Sequence, residues 1–357
     1  PACIIDHRGG GLVTGGLDAQ YDHCRTIYLQ SARKCLRAAA GGLSTAIMNP
    51  QPKLRIGTRG SPLALAQAEE VKSRLLAAHP ALADDAVTIV VIATTGDQIQ
   101  SKPLKEFGGK GLFTKEIEEA LLAGEIDMAV HSMKDVPTEL PPGLGIVCLL
   151  PREDPRDGFL SPIANSLDEL PEGATVGSSS LRRVAQIHHV RPDLVVVNFR
   201  GNVNTRMRKL SEGVAQATFL ACAGLNRLGM ADRITAPVPV DVMLPAVAQA
   251  VIGVETRLDD NVTIDYLAPI HHGETAQCVA AERALLAALD GSCRTPIAAL
   301  AELQGDRLSL RAQILREDGS ESLETQREGS AVDAAVMGRD AGEELLGRAG
   351  PGFFDSE

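Results

Sequence analysis

From residue 53 onward, short apolar runs alternate with longer stretches whose apolar positions share one helical face, a pattern of strands and helices. Leu54–Thr58 predicts a strand. Ser61 followed by Pro62 predicts a helix start, because serine caps free amides and proline at the first helical position forfeits no helical bond. Ala64, Ala68, Val71 and Leu75 fall on one face of that helix, and Pro80 ends it. Thr88–Thr94 reads as a second, buried strand, followed by a long polar loop reaching Phe113. Thr114–Ala123 predicts a helix stopped by Gly124. Ile126–Val130 predicts an inner strand that runs into the polar loop His131-Ser132-Met133-Lys134-Asp135, and Pro137 bars further sheet. Gly145–Leu150 is a further apolar strand.

The segment PREDPRDGF, polar and flanked by prolines, predicts a hinge into a second domain that opens with the strand Ala174–Gly177. Leu194–Asn198 and the start of ATFLACAGLNRLGM predict two more strands, the latter followed by a helix bearing Arg227. Met243–Val254 reads as an apolar segment crossing back to the first domain. ETAQCVAAERALLAALDGSC predicts an amphipathic helix ending in a Gly-Ser-Cys loop. Two or three strands, among them RLSLRAQIL, and a last helix near Ala331–Leu346 complete a small α+β domain.

Composition narrows the class. The chain has 357 residues, long enough for two or three domains, and with 44% hydrophobic residues and no long apolar tract it reads as soluble and globular. Only 3% are aromatic and there is no Trp, so the core must be aliphatic. A net charge of −11 disfavours nucleic acid or an anionic membrane as a partner. The seven cysteines are scattered without a CxxC, and the pairs His188-His189 and His271-His272 lack HExxH spacing, so neither a disulfide framework nor a metal site is indicated. Residues 1–50 are set aside as a poorly structured extension. Arg25, Arg33, Lys34 and Arg37 without an intervening acid suit a transit peptide; sparse serines and Asp6, Asp18 and Asp22 argue against it, and Met48 is a candidate start.

The candidate chemistry lies where strands end. Asp135 and Lys134 follow a strand, the place where open α/β sheets bind ligands, although a capping role suits Asp135 alone equally well. Arg59 and Ser61 stand at a helix N-terminus, a natural anion site, or simply a cap with a solvated arginine. Gly108-Gly109-Lys110-Gly111 is no P-loop, since Leu112 follows; it suits a lid presenting Lys110. Ser178, Ser180, Arg182 and Arg183 open another helix, and Arg200 and Arg206 follow the next strand. Between Ser178 and Leu210 stand seven Arg or Lys against one acid, Asp193. Cations recurring after successive strands should converge on one edge and favour a pocket for a polycarboxylate or phosphate. Cys293, beside Arg294, is either an accessible thiolate or an inert thiol.

Together IGTRGSPLALAQ, TTGD, GGKGLFTKEIE, VHSMKDVPT, REDPRD, SSSLRR, FRGNVNTR, AGLNRLG, AERALL and LDGSC resemble the porphobilinogen deaminase (hydroxymethylbilane synthase) family from about Leu54 to the C-terminus. The resemblance implies two α/β domains of the type II periplasmic-binding-protein kind plus a small α+β C-terminal domain. On this chain they are expected at residues 51–152 with 249–270, at 153–248 and at 271–357. It further implies stepwise condensation of four porphobilinogen molecules, with loss of ammonia, onto a covalent dipyrromethane primer, then hydrolytic release of hydroxymethylbilane. Cys293 matches the cysteine that carries the dipyrromethane by a thioether, and Asp135 the catalytic carboxylate. Lys134, Ser178, Ser180, Arg182, Arg183 and Arg206 match cofactor-binding positions. Arg59, Ser61, Lys110, Arg200 and Arg227 match substrate-binding positions. The same resemblance implies a cytoplasmic monomer, with the plastid as alternative, whose product passes to uroporphyrinogen-III synthase. Each pyrrole carries two carboxylates, a load that suits arginine. Ala248 and Ala250 stand where many relatives have glycine, and Ser292 where others have a second glycine. A non-catalytic carboxylate-binding protein would share the arginines but leave Cys293 and the third domain without purpose. A regulatory effector domain should bring a DNA-binding helix-turn-helix and a basic face, and neither is present.

Overall fold

The structure is a computed structural model that describes residues 53–98, 114–289 and 295–354. In chain order its main elements are β1 (Leu54–Arg59), α1 (Pro62–Ala78), β2 (Val87–Ile92), α2 (Thr95–Gln98), α3 (Lys115–Leu122), β3 (Met128–Ser132), β4 (Leu144–Leu149), β5 (Asp157–Leu160), β6 (Thr175–Gly177), α4 (Leu181–Val190), β7 (Val195–Val197), α5 (Val203–Ser211), β8 (Ala217–Ala221), α6 (Cys222–Arg227), β9 (Ala236–Pro237), β10 (Ile252–Arg257), α7 (Asn261–Leu267), α8 (Gly273–Ala288), β11 (Ile297–Gln304), β12 (Arg307–Leu315), β13 (Ser322–Ser330) and α9 (Ala334–Ala349).

They form three sheets. The first has the order β2-β1-β3-β10-β4 and the second β7-β6-β8-β5-β9. In each, three strands run parallel and the fourth, β10 or β5, runs antiparallel to the neighbours it joins. β5 directly follows the first sheet's β4, and β10 directly follows the second sheet's β9, so the chain crosses between the sheets twice. The third sheet is an antiparallel meander, β11-β12-β13, covered by α8 and α9. This is a mixed α/β architecture of two five-stranded sheet domains with a small α+β unit.

Local chemistry explains the elements that carry the site. Ser61 caps α1, its Oγ accepting from Ala64 N–H at 3.3 Å, and Pro62 follows. Ala64, Ala68, Val71 and Leu75 are buried on the helix face that packs on the first sheet. Gly124, at φ +70°, provides the left-handed residue just past α3.

Several expectations shift. The strand expected at Ile126–Val130 lies at Met128–Ser132, because pairing with β10 (Gly253 opposite His131, Ile252 opposite Ser132) carries the ladder two residues further. The polar segment therefore becomes a 3-10 turn, Met133–Asp135, rather than a loop from His131. β2 is an edge strand with Val91 56% exposed, not a buried one. The long loop expected after it begins with the helical turn α2, and the rest of it, including Lys110, lies outside the described residues. The hinge PREDPRDGF ends in the strand β5, so the second sheet gains a strand before Ala174. The crossing segment Met243–Val254 is strand only from Ile252. Before it, Ala248 (φ 55°) and Ala250 (φ 73°) both take the left-handed conformation.

Candidate functional site

Asp135 is aimed by its neighbours. Met133 and Val136, 2% and 4% exposed, sink into a core shared with α8 and the third sheet, so the turn between them presents Lys134 and Asp135 on its other side. The close packing of Met133 requires Gly253, where a Cβ would stand 2.1 Å from the Met133 sulfur. Asp135 is exposed and lines a small cavity of about 70 Å³ together with Arg59, Ser61, Gln67, Thr114, His131 and Ser132. Gln67 is 5% exposed, and its Nε2 donates to Ser132 Oγ at 2.8 Å, tying α1 to the end of β3.

The second sheet supplies the cations. Arg182 and Arg183, 4% and 5% exposed, open α4 and grip one buried carboxylate: Nη2 of each donates to Asp157 at 2.6 Å. Their other Nη1 atoms donate to Leu244 O at 2.7 Å and Phe219 O at 2.8 Å, while the buried Nε atoms of both have no partner among the described residues. Burial alone would raise the Asp157 carboxyl, but the two guanidiniums outweigh it and hold it far below the usual carboxylate range. Gln249, 1% exposed, bridges the halves: its Nε2 donates to Asp157 Oδ1 at 2.9 Å and its Oε1 accepts from Lys134 Nζ at 3.4 Å. Burial pulls the Lys134 ammonium down to about 8, against the opposing field of Asp135, even though part of its side chain reaches the surface.

Arg206, on α5, donates from Nε to Gly201 O at 2.9 Å. Burial lowers its guanidinium to about 10; Arg183 and Arg200 lower it further and Asp135 opposes them, so these four groups share one field. Ser178 is buried just beyond β6 with its Oγ accepting from Ser180 N–H at 3.2 Å, and Ser180 is the residue before α4. The structure thus brings Asp135, Lys134, Arg182, Arg183, Arg200 and Arg206 into one electrostatic neighbourhood, with Arg59 and Ser61 in the cavity beside Asp135. Arg227 stands apart from that field: its Nε donates to Glu70 Oε2 at 3.1 Å and its Nη2 to Ala250 O at 3.1 Å, joining α6 to α1 and the return crossing. Cys293 and Lys110 lie outside the described residues.

Sequence reading missed Gln67, His131, Ser132, Asp157 and Gln249. Asp157 carried a faint signal, an acid at the end of a polar hinge just before an apolar Gly-Phe-Leu. Gln249 was the one amide in an apolar crossing. Cys148, Cys222 and Cys278 are buried free thiols, and burial pushes them up to about 12, 12 and 11, which makes them inert.

The cation set suits a polyanionic group. Two guanidiniums share one acid, and Lys134 and Arg206 form no ion pair with a carboxylate among the described residues. Such an excess of partly buried positive charge fits the carboxylates of a dipyrromethane.

Similarity to known proteins agrees. Residues 54–265 match the family described as porphobilinogen deaminase, dipyromethane cofactor binding domain, and residues 276–347 match the porphobilinogen deaminase C-terminal domain. A porphobilinogen deaminase of Paracoccus denitrificans is 62% identical over 311 residues, 87% of this chain and 99% of that protein. A chloroplastic porphobilinogen deaminase of Pisum sativum is 54% identical, covering 90% of this chain and 89% of that protein. Among solved structures, the methionine-binding protein MetQ aligns with 63% of this chain and 92% of its own at a TM-score of 0.40 and 14% identity, too distant to add to the strand order. By its matched residues and its relatives, the chain belongs to the porphobilinogen deaminase family, the hydroxymethylbilane synthases of tetrapyrrole biosynthesis.

Proposed function

We propose that Asp135 is the catalytic carboxylate of this chain and that Cys293 carries the dipyrromethane through a thioether. The observation that supports this reading is the electrostatic field that Asp135 shares with Lys134, Arg182, Arg183 and Arg206. The dipyrromethane, when bound, supplies the free pyrrole α-carbon to which porphobilinogen is joined. Lys134, Ser178, Ser180, Arg182, Arg183 and Arg206 hold its carboxylates. Arg59, Ser61, Lys110, Arg200 and Arg227 receive those of the substrate. Ser61 and Arg59 do so at the start of α1, where backbone N–H groups add to the cation. Arg227 must exchange Glu70 for a substrate carboxylate.

Asp135 accepts the pyrrole N–H of porphobilinogen, stabilises positive charge on the ring as ammonia departs, and assists proton transfer. Asp135 is the only carboxylate among the described residues that line the cavity with Arg59 and Ser61. The domain limits 51–152 with 249–270, 153–248 and 271–357 belong to the same reading, as do a monomeric state and delivery of product to uroporphyrinogen-III synthase. The compartment is the cytoplasm, or the plastid if residues 1–50 act as a transit peptide.

Intact mass of the purified protein beside Cys293→Ala tests this. Wild type should carry the added mass of two linked pyrroles and the variant none. A wild type that stays unmodified after exposure to porphobilinogen or hydroxymethylbilane overturns it.

A further inference from the structure

Behind the cavity that holds Asp135 lies a cluster of buried ionisable groups that the proposed chemistry leaves unused. His131, near the end of β3, is 6% exposed and lines the cavity beside Asp135. Its Nε2 stands 2.9 Å from Glu255 Oε2 on β10, and Glu255 is fully buried. With Nε2 held by Glu255, Nδ1 is the ring nitrogen left for the cavity. Glu118 on α3 is buried and faces Thr114, Glu255 and His131; burial, with Glu255 adding to it, pushes its carboxyl up. Glu255 Oε1, buried here, has no hydrogen-bond partner among the described residues, and Thr114 Oγ1 and Glu118 Oε1 face each other without reaching full hydrogen-bond geometry. The remaining charges that face the group are Arg283 of α8, which faces Glu255, Glu119 beside Glu118, and Arg59 and Asp135 in the cavity. Unpaired buried oxygens are destabilising, and a site selected only for stability would pair or replace them.

We infer that His131 and Glu255 form the proton-receiving pair of this site, with Glu118 as a buried acid that tunes it. The inference rests on the reading of the Asp135 cavity as the reaction centre. When a substrate-derived pyrrole ring is joined through its α-carbon, the C–H bond there must break. The bonding pair returns to the ring and restores its aromaticity. The proton passes to Nδ1 of neutral His131, giving an imidazolium held by the Glu255 carboxylate, and leaves to solvent before the next round. Asp135 cannot both keep its negative charge opposite the cationic ring and retain that proton. A second acceptor in the same cavity lets it stay ionised through repeated additions.

The test uses holoenzyme with the primer verified by intact mass, and porphobilinogen deuterated at its free ring α-carbon. His131→Asn should slow condensation about 10²-fold. It should also raise the deuterium isotope effect above the wild-type value, because C–H cleavage becomes the slow step, and added imidazole should restore part of the rate. Glu255→Gln should raise the isotope effect in the same way, since the imidazolium that receives the proton loses its anion. A primer-bearing His131→Asn enzyme with the wild-type isotope effect overturns the inference, even if slower, because misplacement alone would do that. A wild-type isotope effect in primer-bearing Glu255→Gln overturns it independently, including where His131→Asn fails to fold. Wild type without primer overturns the underlying reading instead, whereas loss of activity in Asp135→Asn beside a normal His131→Asn sinks only the proton-receiving pair.

Discussion

Asp157 shows how one acid organises two cations. It is fully buried and joined to Arg182, Arg183 and Gln249, so its removal strands two guanidiniums in a low-dielectric interior. Asp157→Asn should destabilise the protein by about 3–5 kcal/mol, read from denaturant midpoints. Because its folded-state value is depressed, the contribution of Asp157 is present above the unfolded-state value of about 4 and fades as pH falls below it. Stability of the wild type should therefore drop on acidification, and Asp157→Asn should flatten that dependence. Lys134 makes the opposite prediction. With its ammonium pulled down to about 8, it is charged below that pH and neutral above it. kcat/KM, which reports the free enzyme, should fall as pH rises through about 8, and Lys134→Arg should move that limb upward. An unchanged limb in Lys134→Arg would assign it to another group.

At the scale of elements, the two crossings between sheets are where backbone is most constrained. Ala250 adopts φ 73° with its carbonyl accepting from Arg227 at 3.1 Å. The left-handed conformation costs an alanine about 1–2 kcal/mol. Losing its methyl on substitution by glycine costs about 0.8 kcal/mol at most. Ala250→Gly should therefore raise the thermal midpoint by about 2 °C. Ala250→Val, with a β-branched side chain at the same φ, should lower stability by about 2 kcal/mol. A midpoint that falls in Ala250→Gly would mean that the methyl contributes more than the strain removes. The turn carrying Asp135 has a matching constraint at Gly253, where any Cβ displaces Met133. Gly253→Ala should thus lower kcat by moving the carboxylate, with the primer still attached by mass.

For the whole molecule, Glu282 is the joint. It is fully buried on α8 and accepts from Arg152 Nη1 at 2.5 Å, from Ala248 N–H at 2.6 Å and from Ala301 N–H at 2.7 Å. One carboxylate thereby holds both crossings and the third sheet together. Arg283, next to it, donates to Val136 O at 3.1 Å and Pro137 O at 2.6 Å, fastening the segment after Asp135 to the helix that leads toward Cys293. Glu282→Gln keeps the shape but unpairs Arg152. It should destabilise by about 3 kcal/mol and increase protease cleavage at residues 150–156 and 243–251. Protection there equal to wild type would show that apolar packing alone holds the crossings.

The sequence by itself determined the elements whose cause is local. Ser61-Pro62 starts α1, Gly124 ends α3, and the apolar periods of both helices and of β11 to β13 are visible in the chain. It also placed the positive residues after strands, since strand–turn–helix order alone sends them to one sheet edge. Tertiary structure decided whatever depends on a distant partner. β3 was extended over His131 and Ser132 because β10, more than a hundred residues later, completes its ladder. Val91 is exposed because β2 lies at an edge, which no local period reveals. Asp157, Gln249, Glu255 and Glu282 carry no local pattern that marks them as buried. Their meaning comes from charges 25 to 130 residues away in the chain. A buried acid is stable only where folding supplies its donors, and those donors are a property of the packed molecule.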